Sequence, residues 1–155
     1  MRVVQFAGAA LAVAMLTAPA AMAKASHTVI VGLSPATDCY RATLDDRRDQ
    51  GSLDTCTLAL DDDFLPYDVR AATLVNRSVL HLRRHENRSA LTDATVAISL
   101  GALNSTQAAR AYFYRAAANE DLGDARAAYG DYRQAAALAP SWDAPRLELA
   151  RFQVR

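Results

Sequence analysis

A segment of this chain repeats itself after 38 residues, and this repetition constrains the fold more than any other feature of the sequence. When the residues from Ala71 onward are shifted by 38 positions, seven of them meet an identical residue: Ala71/Ala109, Arg77/Arg115, Arg88/Arg126, Ala90/Ala128, Asp93/Asp131, Ala97/Ala135 and Leu100/Leu138. Arginine and aspartate match in register along with the common alanine and leucine. The chain is therefore expected to use one supersecondary unit twice.

Each copy follows a helical pattern. Helix-forming residues dominate from Ala71 onward, and apolar or small side chains recur three and four positions apart. Polar or glycine-containing breaks follow at 85–87, 101–105 and 122–124, and Pro140 ends the pattern. The breaks predict two helices in each copy, and a last helix follows from Ser141.

Two shorter helices are predicted upstream. Ser34-Pro35 is a helix start, because proline is favoured at the first helical position. A helix from Pro35 to about Arg48, a turn at Gln50-Gly51 and a second helix ending at Leu60 would form a hairpin. Residues 61–66 are expected to be a loop, and residues 24–34 an extended lead-in.

The first 23 residues predict where the protein is located. A positive start, an apolar run and the tripeptide Ala21-Met22-Ala23 are typical of a secretory signal peptide covering residues 1–23. The alternative is an uncleaved anchor, but Pro19 interrupts the run before the roughly 20 apolar residues that span a bilayer. We therefore expect an exported protein, periplasmic or secreted, with no membrane segment after cleavage.

The net charge limits which classes of partner are expected, and the cysteine content indicates the compartment. Seventeen basic and seventeen acidic residues leave no net charge to attract nucleic acid or anionic lipid. Cys39 and Cys56 are an even pair in an exported chain, which favours a disulfide. They lie near the start of the first upstream helix and the end of the second, so an antiparallel hairpin brings them together.

The second copy resembles the tetratricopeptide repeat (TPR) family. Tyr112 takes the leading aromatic position, Ala116 the small-residue position, Ala128 and Tyr132 the second-helix positions, and Pro140 the closing proline. The first copy is a weaker match, with Leu74, Ser78, His81, Ala90 and Ala97 in register but Ala94 for the aromatic and Ala102 for the proline.

The resemblance implies an all-α fold, a short TPR-like α-solenoid of antiparallel helix pairs with a C-terminal capping helix. Its parts would be a divergent N-terminal hairpin (35–62), repeat 1 (71–104), repeat 2 (105–140) and the capping helix (141–155). The hairpin departs from the family pattern, because Tyr40 stands where a small residue belongs. The alternative is an unrelated alanine-rich bundle.

The resemblance also implies a binding face. In this family the first helix of each pair lines a concave surface, which here predicts Val75, Val79, Leu82, Arg83, Arg110, Phe113, Ala117, Glu120 and Asp121. Such a face suits a peptide or protein segment. The alternative is that Val79, Leu82 and Phe113 pack against the N-terminal hairpin and fill the groove.

Other chemistries find little support in the sequence. His81 and His85 have the spacing of two metal ligands on one helical face, so a metal- or small-ligand-binding protein is the alternative function. No third ligand lies nearby in sequence, and structural or catalytic zinc takes three or four. Neither a phosphate-binding glycine loop nor a catalytic triad pattern is present. We therefore expect no cofactor, no metal and no enzyme activity, but a non-catalytic adaptor or scaffold.

Overall fold

The structure is a computed structural model that describes residues 34–152, and the predicted all-α class is confirmed. Within this range the chain forms seven helices and no strand: α1 (Pro35–Leu44), α2 (Gln50–Leu60), α3 (Tyr67–Arg83), α4 (Asn87–Ser99), α5 (Ser105–Asp121), α6 (Ala125–Leu138) and α7 (Asp143–Phe152). The expected signal peptide, the lead-in up to residue 33 and the last three residues lie outside the described residues.

The helices pack as three successive hairpins. The partners are α1 with α2, α3 with α4, and α5 with α6, and α7 packs against α6. Each hairpin also contacts the next one, through α2 with α3 and through α4 with α5. In addition, α3 contacts both α1 and α5, so the first helices of the three hairpins lie side by side.

Three helix boundaries differ from the sequence prediction. Gln50 and Gly51, expected to form a turn, are the first two residues of α2, and the turn lies at residues 45–49 instead. Helix α1 ends at Leu44 instead of near Arg48, because Asp46 adopts a left-handed conformation (φ 51°) that no α-helix continues. Helix α3 begins at Tyr67, four residues before Ala71. The Arg70 guanidinium donates to the carbonyl oxygens of Leu60 and Asp62, which holds the end of α2 and the loop against this first turn.

The repeated alanines mark close helix contacts. Ala71, Ala90 and Ala97 are fully buried, and so are their counterparts Ala109, Ala128 and Ala135. Small side chains at these positions let two helices approach closely, and a larger residue would force them apart. Three of the seven sequence identities therefore report the same packing in both hairpins.

The repeated arginine and aspartate form the same ion pair twice. In α3–α4, Arg77 donates from Nε and Nη2 to the two carboxylate oxygens of Asp93, at 2.8 and 2.9 Å. In α5–α6, Arg115 binds Asp131 in the same bidentate way, at 2.8 Å for both bonds. Both aspartates are buried, and the hydrogen bond to the carboxylate raises the pKa of each guanidinium.

The turn inside each of these two hairpins is also repeated. After α3, the Glu86 N–H donates to the His81 carbonyl and the His85 N–H to the Leu82 carbonyl. After α5, Asp124 and Gly123 make the equivalent bonds to Asn119 and Glu120. This is a Schellman turn, whose left-handed position is taken by His85 (φ 60°) and by Gly123 (φ 89°).

The two ends of the stack are closed differently. At the N-terminal end, a disulfide joins Cys39 of α1 to Cys56 of α2, and both cysteines are fully buried against Leu53 and Leu80. At the C-terminal end, the rings of Phe113, Tyr132, Trp142 and Phe152 pack together, with Phe113 and Trp142 centroids 4.8 Å apart. Helix α7 thus packs against α6, and Trp142, which precedes it, packs against Phe113 of α5.

Candidate groove on the first helices

A groove of about 540 Å³ lies across the N-terminal halves of α1, α3 and α5. We call it the first-helix groove. It is lined by Ser34, Ala36, Thr37 and Tyr40 from α1, by Asp68, Val69, Ala72, Thr73, Val75 and Asn76 from α3, and by Gln107 and Arg110 from α5. Its size falls within the usual range of ligand-binding clefts.

Local sequence explains why the groove is open. Ala36 on α1 and Ala72 on α3 are too short to fill the space between the helices, while Thr73 and Val75 are buried beneath it. Tyr40 stands at its side and remains 44% exposed. Ser34, which lines the groove, caps α1 by accepting the Thr37 N–H.

The groove carries one basic and one acidic side chain on different walls. Arg110 lies on α5 and Asp68 in the first turn of α3, and neither forms an ion pair within residues 34–152. The first turns of α1 and α3 each contain an aspartate, whereas that of α5 contains no acidic residue. Since a helix N-terminus carries partial positive charge, the α5 wall is the more positive side.

Two of the nine residues predicted for the concave face line this groove, namely Val75 and Arg110. Val79 is buried instead, and Arg83 binds the end of α1. The Arg83 guanidinium donates to the Thr43 carbonyl at 2.8 Å and pairs with Asp46 at 3.0 Å. Arg83 is therefore engaged by the end of the N-terminal hairpin's first helix, and Leu82 beside it is half-buried.

The predicted residues on the second half of α5 lie apart from the groove. Phe113 packs among the C-terminal rings and not against the N-terminal hairpin. Glu120 accepts hydrogen bonds from the Tyr132 hydroxyl at 3.2 Å and from Arg151 at 3.0 Å. Burial, followed by the nearby Glu120 charge, raises the pKa of Tyr132 above its ordinary range. Ala117 is half-buried and Asp121 is exposed, and neither lines the groove.

The prediction that His81 and His85 share one helical face is wrong. Helix α3 ends at Arg83, and His85 takes the left-handed position of the turn, where its side chain is no longer in helical register. His81 binds Glu86 through Nδ1 at 2.6 Å. Among the described residues, no three His, Cys, Asp or Glu side chains are grouped so that they could hold a metal ion.

His81 instead belongs to a polar network that links α3 and the turn after it to α4 and to the connection between α1 and α2. Its Nε2 lies 3.7 Å from Asp93, and Glu86 also accepts from Arg84 at 2.8 Å. Arg84 in turn donates to the carbonyl of Arg48, between α1 and α2. The hydrogen bonds from His81 and then Arg84 lower the pKa of Glu86. The network ties the turn after α3 to its neighbours.

Most groove residues were not predicted from the sequence, although it carries one signal for them. Ala72 is the counterpart of Arg110 at the 38-residue offset, so the repeat placed both on the same face of α3 and α5. Tyr40 had no such signal, because α1 matches no repeat. Asp68 lies in the first turn of α3, which falls between the predicted loop at 61–66 and the predicted helix start at Ala71.

Comparisons of the chain with protein-family models, with curated proteins and with solved structures gave no match. Among residues 34–152, none of the helices has the length and apolar character needed to cross a membrane.

Proposed function

We propose that this chain is a short TPR-like solenoid that binds an extended peptide or protein segment in the first-helix groove and acts as a non-catalytic adaptor or scaffold. The observation that carries the proposal is the groove itself, an open space bounded by the first helices of all three hairpins. Side-by-side first helices are the arrangement that forms a concave binding surface in helical repeat proteins.

The composition of the groove fits a peptide better than a rigid small molecule. Small and apolar side chains form the floor, and Ser34, Thr37, Asn76 and Gln107 supply hydrogen-bonding groups along the sides. An extended peptide needs alternating apolar contacts and polar partners for its backbone, and this lining offers both.

The repeated features support the family assignment. Two hairpins share buried alanines at equivalent positions, the same arginine–aspartate pair and the same turn. In a solenoid, the two helices of every repeat pack against each other in the same way. This favours identical residues at the contacts between them.

We further propose that the protein is exported to the periplasm, or secreted, after removal of residues 1–23. The disulfide between Cys39 and Cys56 supports this location, because such bonds persist in oxidising compartments. Expression of the chain with and without residues 1–23, followed by fractionation, tests it. Equal distribution of both forms would contradict export.

Site-specific photo-crosslinking tests the binding function. A photoreactive residue at Tyr40 probes the groove, and one at Arg133, exposed on α6, serves as the control. The proposal predicts adducts to one defined protein from position 40 alone. Adducts from neither position, or the same adducts from both, would contradict a binding groove at this site.

A further inference from the structure

The two unpaired charges of the first-helix groove identify the kind of segment that it accepts. Arg110 lies on the α5 wall and Asp68 on the α3 wall, with Ala72 and Val75 of α3 also in the lining. Within residues 34–152 both charges lack an ionic partner, whereas Arg77 and Arg115, farther along α3 and α5, are paired with Asp93 and Asp131. A charge left unpaired beside an open groove is available to a ligand.

The α5 wall suits a carboxylate. Arg110 presents a planar guanidinium that can donate two parallel hydrogen bonds to a carboxylate. Gln107 lies one turn earlier on the same wall, and its side-chain oxygen is occupied by the Asn104 N–H, which leaves its NH₂ group as the free end. The partial positive charge of the α5 N-terminus adds to the same preference.

The α3 wall suits a cation. The Asp68 carboxylate is exposed, and it belongs to the first turn of α3. A ligand that carried only a carboxylate would use Arg110 and leave Asp68 without a partner, whereas a segment with one acidic and one basic side chain would satisfy both walls. Charge complementarity of this kind determines which partner and which register are accepted.

Resting on the proposed peptide-binding function, we propose that the groove recognises an internal, extended segment that carries an acidic side chain opposite Arg110 and a basic side chain opposite Asp68. Small or apolar residues of the segment contact the floor between them. Recognition by two opposite charges also fixes the direction in which the segment lies, because reversing it would place like charges together.

Selection from peptide libraries tests this inference. The full chain is immobilised and screened against two random linear libraries, one displayed internally with both ends blocked and one with free C-termini. We expect binders from the blocked library that share an acidic and a basic residue at a fixed spacing. Screening Arg110→Glu should change the acidic position to a basic one, and Asp68→Lys should change the basic position to an acidic one.

Affinity measurements with a selected peptide then show how much Arg110 contributes to binding. Arg110→Glu should weaken its binding about tenfold or more, because it replaces the hydrogen-bonding partner of the acidic side chain with a like charge. The matched control is Arg126→Glu, the same charge change on the exposed surface of α6, which should leave affinity and consensus unchanged. Thermal melting of each variant confirms that it is folded.

The possible outcomes separate this inference from the function on which it rests. Binders without the charge pair, an unchanged consensus in both charge-reversal variants, or binders from the free C-terminal library alone would overturn the inference while leaving peptide binding intact. The absence of binders from both libraries would contradict peptide binding itself, and the inference would fall with it.

Discussion

The hairpins α3–α4 and α5–α6 are two versions of one unit, and they differ in where each meets the rest of the molecule. Inside each hairpin the contacts are the same: buried alanines, a bidentate arginine–aspartate pair and a Schellman turn. The contacts that each hairpin makes with its neighbours differ. The interior is therefore the part of the unit that both positions require.

The first hairpin is attached to its N-terminal neighbour by polar contacts. Arg77 donates to Thr57 of α2 at 3.1 Å as well as to Asp93, and Arg83 and Arg84 bind backbone carbonyls at the end of α1 and beyond it. The second hairpin is attached to α7 mainly by aromatic rings. Its counterpart of Ala94 is Tyr132, which packs against Phe113 and Phe152.

This difference explains why the groove lies at the N-terminal halves of the first helices. Polar contacts from Arg83 draw the end of α1 over the C-terminal half of α3. The N-terminal halves of α1, α3 and α5 carry small residues and no such anchor, so the space between them stays open. The repeated unit provides the surface, and the non-repeated contacts decide which part is accessible.

The largest effect is expected from breaking the repeated ion pair. Asp93→Asn and Asp131→Asn each leave a partly buried guanidinium without its carboxylate. Removing one partner of a fully buried pair costs about 3–5 kcal/mol, and because these arginines retain some solvent exposure we expect about 2–3 kcal/mol at both sites. The free energy of unfolding in urea measures the loss.

Asp63→Asn, in the exposed loop before α3, is the control and should leave stability nearly unchanged. If the two hairpins are equivalent, the losses at Asp93 and Asp131 should be similar. A loss below about 1 kcal/mol, typical of a surface ion pair, at only one of the two sites would show that the two pairs are not equivalent.

A smaller effect is expected from exchanging the turn residues. His85→Gly should stabilise the protein by about 1 kcal/mol, because glycine adopts the left-handed conformation without steric cost. Gly123→Ala should destabilise it by about the same amount for the same reason. A Cβ at Gly123 meets no other atom within 4 Å, so the cost is conformational alone.

Gly130→Ala is the control for Gly123→Ala and should change stability in the opposite direction. Gly130 lies inside α6 without a positive φ and with open space around its Cβ position, so alanine should stabilise the helix by roughly 0.5–1 kcal/mol. The melting temperatures of the three variants rank their stabilities. Destabilisation by His85→Gly would mean that the His85 side chain itself holds the turn.

The smallest effect concerns pH, and it is expected in the first hairpin. Hydrogen bonds from His81 and Arg84 lower the pKa of Glu86, so its contribution to stability is present above the ordinary glutamate pKa of 4.5. This contribution is lost as pH falls through the lowered pKa in the folded protein. The stability difference between the wild type and Glu86→Gln should shrink in that acidic range.

Unfolding free energies at a series of pH values measure this difference. Asp63→Asn again serves as a control for general charge effects. A difference that stays constant from neutral to acidic pH would show that the Glu86 charge contributes nothing to the turn.

The sequence predicted the interior of the fold better than its surface. Identities at Ala90/Ala128 and Asp93/Asp131 carry information because equivalent contacts need the same side chain in both hairpins. Leu100 and Leu138 are half-buried in both copies. Nothing in the structure explains why Arg88 and Arg126, which are both exposed, are identical.

The groove was harder to predict because it depends on contacts between non-repeated parts. Helical phase placed Val75 and Arg110 on the predicted binding face, and both line the groove. Phase alone gave no sign that Trp142 would cover Phe113, or that Arg83 would bind the end of α1. Both events depend on segments outside the 38-residue repeat, and no pattern within the repeat encodes them.

The measurement that most directly tests the central claim is a map of backbone amide chemical shifts of the full chain, with and without a segment obtained by crosslinking or selection. A segment in the first-helix groove should shift amides in three separate stretches, 34–41, 67–76 and 104–111, and leave most of α4 and α6 unchanged. Shifts confined to α4, α6 or the C-terminal half of α5 would contradict a binding site on the N-terminal halves of the first helices.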